Sequence, residues 1–66
     1  MTRSEAVNFY VGVSSLAKAL GISYEAVRQW QEDGIPLLRQ YQLQDLSNGR
    51  LKVDRTLAAH EIDKLA

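Results

Sequence analysis

The side chains best suited to molecular recognition fall in one short run: Ser23, Tyr24, Glu25, Arg28 and Gln29. Each carries a side-chain hydrogen-bond donor or acceptor, chemistry that a nucleobase edge can meet. Arg28 can donate two parallel hydrogen bonds to O6 and N7 of a guanine, and Glu25 can accept from N4 of a cytosine. Glu25 and Arg28 are three residues apart, so on a helix they also face each other. Such a pair is worth about 0.2–0.5 kcal/mol and would hold Arg28 ready in the free protein. Gln29 suits a base edge or a phosphate equally. Tyr24 can stack on a thymine methyl or a sugar, or simply cover the turn before it. A second group suits anions. Ser14 and Ser15 open a helical run, where free backbone N–H groups and the helix dipole favour a phosphate, and Lys18 lies one turn further on. Arg39 stands in the first turn of another helical run, where dipole logic disfavours a cation. That placement points to a phosphate or carboxylate partner, or to an Arg stem packed on the core.

Other chemistries are poorly supplied. His60, Glu61 and Asp63 are the only metal-like grouping, with no second His and no Cys to complete a site. They read as a solvated helix face, and no metal is expected. Nothing pairs a nucleophile with a base, and no loop has phosphate-binding glycines. A 66-residue chain has little room for a substrate cavity. The chain reads as non-enzymatic, with no cofactor and no small-molecule ligand.

The elements that must position these groups are short. The chain reads as a single domain over 1–66, and a domain of this size is only marginally stable. The absence of Cys leaves no disulfide to support it, and no apolar run approaches the ~20 residues of a membrane span. The N-terminal residues lack the apolar region of a signal peptide, so the cytoplasm is the expected location. A first helix is predicted from Thr2 to Tyr10, with Thr2 or Ser4 as cap, broken at Gly12. A second runs from Ser14, as N-cap, to Leu20, and Gly21 stops it in the left-handed conformation. Ser23 caps a third, from Tyr24 to Glu32, which Asp33-Gly34 ends. Leu16, Leu20, Ile22, Val27 and Trp30 fill the angle between the second and third helices. Small Ala17 permits their close approach. This is the outline of a helix-turn-helix.

Past Pro36 two readings compete. Residues 36–47 contain good helix formers and no β-branched residue, which predicts a fourth helix. Yet Tyr41-Gln42-Leu43-Gln44 and Arg50-Leu51-Lys52-Val53 alternate, with Asn48-Gly49 between them, a strong hairpin signal. The expected fold class is all-α, a small five-helix domain whose last helix covers 54–65 with Asp54 as cap. The alternative is an α+β domain with a C-terminal β-hairpin at about 40–54.

The run from Leu16 to Ser23, with Ala26-Val27, Gln29-Trp30 and Ile35-Pro36-Leu37-Leu38-Arg39-Gln40, resembles the Cro repressors of lambdoid bacteriophages and prophages. It is most similar to their all-helical branch; the other branch carries the hairpin. The resemblance covers about residues 5–50 and fades after Val53. It also extends to small prophage antitoxin-like regulators, which leaves a regulator acting mainly through a protein partner as the alternative function. The resemblance implies a transcriptional repressor that binds double-stranded operator DNA as a weak homodimer. Its third helix would lie in the major groove. It implies base readout by Ser23, Tyr24, Glu25, Arg28 and Gln29, and phosphate contacts from Ser14, Ser15, Lys18 and Arg39. The apolar groups Leu37, Tyr41, Leu51, Val53 and Leu57 would supply either the dimer contact or the monomer core.

Eight basic and eight acidic residues cancel, where a nucleic-acid binder usually carries a basic excess. Lys18, Arg28 and Arg39 fall on or beside the expected face, so a balanced total need not mean a balanced face. A neutral sum does predict modest non-specific affinity, because that affinity comes mainly from phosphate neutralisation.

Overall fold

The computed structural model describes residues 1–57, and over that range the chain forms four α-helices and a closing 3₁₀ turn. Helix α1 spans Arg3–Tyr10. Thr2 and Glu5 form a reciprocal capping box: Thr2 Oγ1 accepts from the Glu5 amide at 3.1 Å, and Glu5 Oε1 accepts from the Thr2 amide at 2.8 Å. The helix ends at Val11, which is left-handed with φ 60°. Gly12, the expected break, follows with φ 135°.

Helix α2 spans Val13–Leu20 and starts at Gly12 rather than at Ser14. Gly21 ends it at φ 70°, as the sequence predicts. The Ile22 amide donates to Ala17 O at 3.0 Å, and the Gly21 amide to Lys18 O at 3.1 Å. This is a Schellman closure, which turns the chain within two residues toward α3. Helix α3 spans Tyr24–Arg28, with Ser23 Oγ accepting from the Ala26 amide at 3.1 Å.

The third helix is shorter than the predicted 24–32. Glu32 explains the early stop. Its carbonyl accepts from the Arg3 amide at 2.8 Å, and its carboxylate accepts from both the amide and hydroxyl of Ser4, at 3.0 and 2.9 Å. Glu32 is thereby drawn out of α3 to serve the start of α1. Trp30 turns inward against the core at the same bend.

Helix α4 spans Leu37–Leu46, with Pro36 at its N-cap. It buries Gln40 and Leu43, and Ser47 at its C-cap is buried too, a helical spacing. A strand would instead have put Tyr41 and Leu43 on one face; Leu43 is buried and Tyr41 is exposed. The hairpin alternative is therefore corrected: no strand is present among the described residues. Its turn nevertheless forms. Asn48 and Gly49 take φ 55° and 83°, and the Arg50 amide donates to Ser47 O at 3.2 Å. The Asn-Gly signal was real, but the arm before it obeys the 3.6-residue period.

After the turn the chain runs back along α4, held by side chains instead of a sheet. Ser47 Oγ accepts from the Leu51 amide, Gln44 Oε1 from the Val53 amide and Gln40 Oε1 from the Asp54 amide, at 2.8–2.9 Å. Gln40 is wholly buried and also donates to the carbonyls of Ile35 and Leu57, at 3.1 and 3.2 Å. The Met1 amino group completes the cluster through Lys52 O at 2.9 Å. Asp54 then caps the 3₁₀ turn Arg55–Leu57, accepting from the Thr56 amide and hydroxyl at 3.0 and 2.6 Å. These bonds hold its carboxyl below the ordinary value of 3.8, the Thr56 hydroxyl contributing most.

Among the described residues four α-helices and this turn are seen, so the expected five-helix count is not matched there. The rest of the helix predicted over 54–65 lies outside the described residues. Leu16, Val27, Ile35 and Leu43 are the centre of the core, which all four helices share with Ala6 and Leu51.

Candidate nucleic-acid interface

Two helices with opposite demands build the interface. Each must bury one face to exist at all, since elements of five and eight residues are not stable alone. Helix α2 buries Leu16 and Ala17, and α3 buries Val27. What remains outside is the candidate site. Ser14, Ser15 and Lys18 are exposed on α2; Ser23, Tyr24, Glu25, Arg28 and Gln29 are exposed on and beside α3. Helical spacing sets Tyr24, Glu25, Arg28 and Gln29 on one arc of α3, opposite the arc that Ala26, Val27 and Trp30 turn inward.

Glu25 and Arg28 do pair, Arg28 Nη1 lying 3.2 Å from Glu25 Oε2, with both side chains about 60% exposed. It is the one ion pair among the described residues. Its exposure makes it cheap to exchange for another partner. Ser23 has a structural duty first, because its oxygen caps α3. Tyr24 is half exposed beside it.

The start of α2 differs from the starts of α1 and α3 in having no side-chain cap. No capping side chain bonds its first-turn amides, and the exposed Ser14 and Ser15 lie in the field of the helix N-terminus. Arg39 is not with this group in a comparable state. It is half buried on α4 and donates to Gln42 Oε1 at 2.8 Å.

The opposite end of α3 is fixed by residues that the sequence reading passed over. Arg3 Nε donates to Val27 O at 3.4 Å, a cation at a helix C-terminus. Glu32 binds the first turn of α1 as described. Together they tie the end of α3 to the start of α1. These ties are long-range in sequence, and no local signal marks the stop at Arg28.

A family model described as DNA-binding transcriptional regulator Cro matches residues 2–62, nearly the whole chain. The chain belongs to the Cro family. It is thus a DNA-binding transcriptional regulator of a family that is not one of enzymes. Comparison with curated proteins and with solved structures gave no match. The match takes in α1 to α4 and the returning segment, so it covers the Cro-like helix-turn-helix and its supports alike. Among the described residues no group of His, Cys, Asp and Glu could hold a metal, and no helix is long and apolar enough to cross a membrane. His60, Glu61 and Asp63 lie outside the described residues.

Proposed function

We propose that this Cro-family chain is a sequence-specific transcriptional repressor of phage or prophage type that binds operator DNA as a dimer, with α3 in the major groove. The observation that carries the reading is the exposed arc of α3, polar and charged, on a helix too short to serve the core alone. Arg28 reads a guanine, and Glu25 accepts from a cytosine. Gln29 and Tyr24 contact the adjacent base or sugar, and Ser23 caps α3 while its hydroxyl proton stays free to donate. Ser14, Ser15 and Lys18 hold a phosphate at the uncapped start of α2, which fixes register without reading sequence. A single helix of this length spans few base pairs, so two half-sites about one helical turn apart, ~34–36 Å, are needed for selectivity.

A mobility-shift titration with the DNA upstream of the protein's own coding sequence tests the reading. Binding to that DNA in preference to scrambled DNA, lost in Arg28→Ala, supports it. Equal binding of both DNAs by both proteins contradicts it. A stable complex with another protein and no DNA affinity at low salt would favour the antitoxin-like alternative.

A further inference from the structure

The Asn48-Gly49 turn takes no part in the proposed DNA surface, and its two residues carry a chemistry of their own. The chain has two asparagines, Asn8 and Asn48. Asn8 precedes Phe9, whose side chain crowds the amide nitrogen between them. Asn48 precedes Gly49, which has no side chain, so the Gly49 nitrogen can approach the Asn48 side-chain carbonyl unhindered. Asn48 is exposed. It lines an open hollow of about 510 Å³ together with Tyr41, Asp45 and Lys52, so water reaches it.

The closed turn withholds that nitrogen. The Gly49 amide donates to Gln44 O at 2.8 Å, and the Asn48 amide to Asp45 O at 3.1 Å. This is a second Schellman closure, with Asn48 left-handed at φ 55°. Attack needs a Gly49 nitrogen that has lost its proton and turned toward Cγ of Asn48. In the closed turn Gln44 O holds that proton.

We propose that Asn48 is a self-modification site gated by this turn, and that its product closes the turn poorly. When the turn opens, the Gly49 nitrogen loses its proton to solvent and attacks Cγ of Asn48. The new N–Cγ bond forms, the Cγ–Nδ2 bond breaks, and Nδ2 leaves as ammonia with a proton returned from solvent. Water then adds to either carbonyl of the cyclic imide. One opening gives aspartate. The other gives isoaspartate, in which the main chain runs through the former side chain. Water is the only co-reactant. Isoaspartate lengthens the main chain by one methylene inside a turn that must close on Gln44 O and Ser47 O. Either product also places a negative charge just past the C-terminus of α4, where the helix dipole disfavours it. The returning segment depends on this turn, because its Leu51, Val53 and Asp54 amides are bonded along α4. A modified molecule loses register there and holds its fold less well.

The test incubates the full chain at mildly alkaline pH, both folded and in enough guanidinium chloride to unfold it, and follows each asparagine by peptide-mapping mass spectrometry. Conversion of Asn48 should be at least about tenfold faster unfolded than folded, because opening of the turn limits the folded rate. Asn8 should lag well behind Asn48 in the unfolded chain. Modified protein, separated by ion exchange, should unfold at a lower denaturant concentration than unmodified protein. The variant Asn48→Gly accepts the left-handed conformation and has no side-chain amide, so its midpoint should stay constant through the incubation while that of the wild type falls. An Asn48 that stays intact in the unfolded chain, equal rates folded and unfolded, an Asn8 that converts as fast, or a modified form as stable as the unmodified one would each overturn the proposal.

Discussion

Arg28 reaches solvent while tethered to Glu25, so any base contact exchanges an exposed ion pair for a guanine edge. The exchange costs little, because exposed pairs contribute about 0–1 kcal/mol. Arg28→Ala should therefore lose about 1–3 kcal/mol of discrimination at one base position, with little change in folding stability. Fluorescence anisotropy on operator variants, set beside urea denaturation, measures both. Val11 makes the opposite kind of prediction. It is β-branched, left-handed and 88% exposed, so it stores backbone strain with no packing in return. Val11→Asn should raise stability by about 1 kcal/mol, seen as a higher Tm, because Asn tolerates this conformation. Asp54 sets an acid limit on the closing turn. Its carboxyl is depressed by the Thr56 hydroxyl and amide, so the cap is complete above 3.8 and is lost as pH falls through the lower folded value. A carbon-detected NMR titration of Asp54 should give a midpoint below 3.8 in the wild type, and Thr56→Ala should bring it back up.

At the scale of elements, the helix-turn-helix was legible because its signals are local. Ser23 as cap and Gly21 as stop each act within one turn and took the roles their types imply, and Ala17 is buried. The misreadings have long-range causes. Nothing near Glu32 in sequence shows that its carboxylate is needed 28 residues away at Ser4, so α3 was read too long. The Asn48-Gly49 turn was recognised, but its two arms were not separable by pattern. Burial of Gln40, Leu43 and Ser47 decides that the first arm is helical. Gln40 was read as one more helix former, and it is the buried joint between α4, the returning segment and Met1. Gln40→Leu keeps the volume but leaves the Asp54 amide and two carbonyls without their partner. At about 1–3 kcal/mol for a buried group left unsatisfied, it should destabilise the domain by several kcal/mol in urea denaturation.

For the whole molecule, the balanced charge is the property that most constrains mechanism. Seven of the eight basic residues precede residue 58, yet Lys18 and Arg28 are the only ones on the α2 and α3 surface proposed to meet DNA. Few phosphates are then neutralised, and the salt dependence should be shallow. With the slope near −0.9 per neutralised phosphate, two basic residues per half-site should contribute at most about two to it. Base contacts and dimerisation must supply the rest. The expected dimer group of Leu37, Tyr41, Leu51, Val53 and Leu57 does not form one surface: Leu51 is buried, Leu37, Val53 and Leu57 are half buried, and Tyr41 alone is exposed. These residues mostly complete the monomer. Selective DNA recognition through α3 remains the central claim. It is tested most directly by a mobility-shift titration of wild type and Arg28→Ala against the protein's own upstream DNA and a scrambled control. The account predicts that the wild type prefers the upstream DNA and that Arg28→Ala loses that preference while keeping its weak affinity for both. A wild type that binds both DNAs alike, or an Arg28→Ala variant as selective as the wild type, would contradict it.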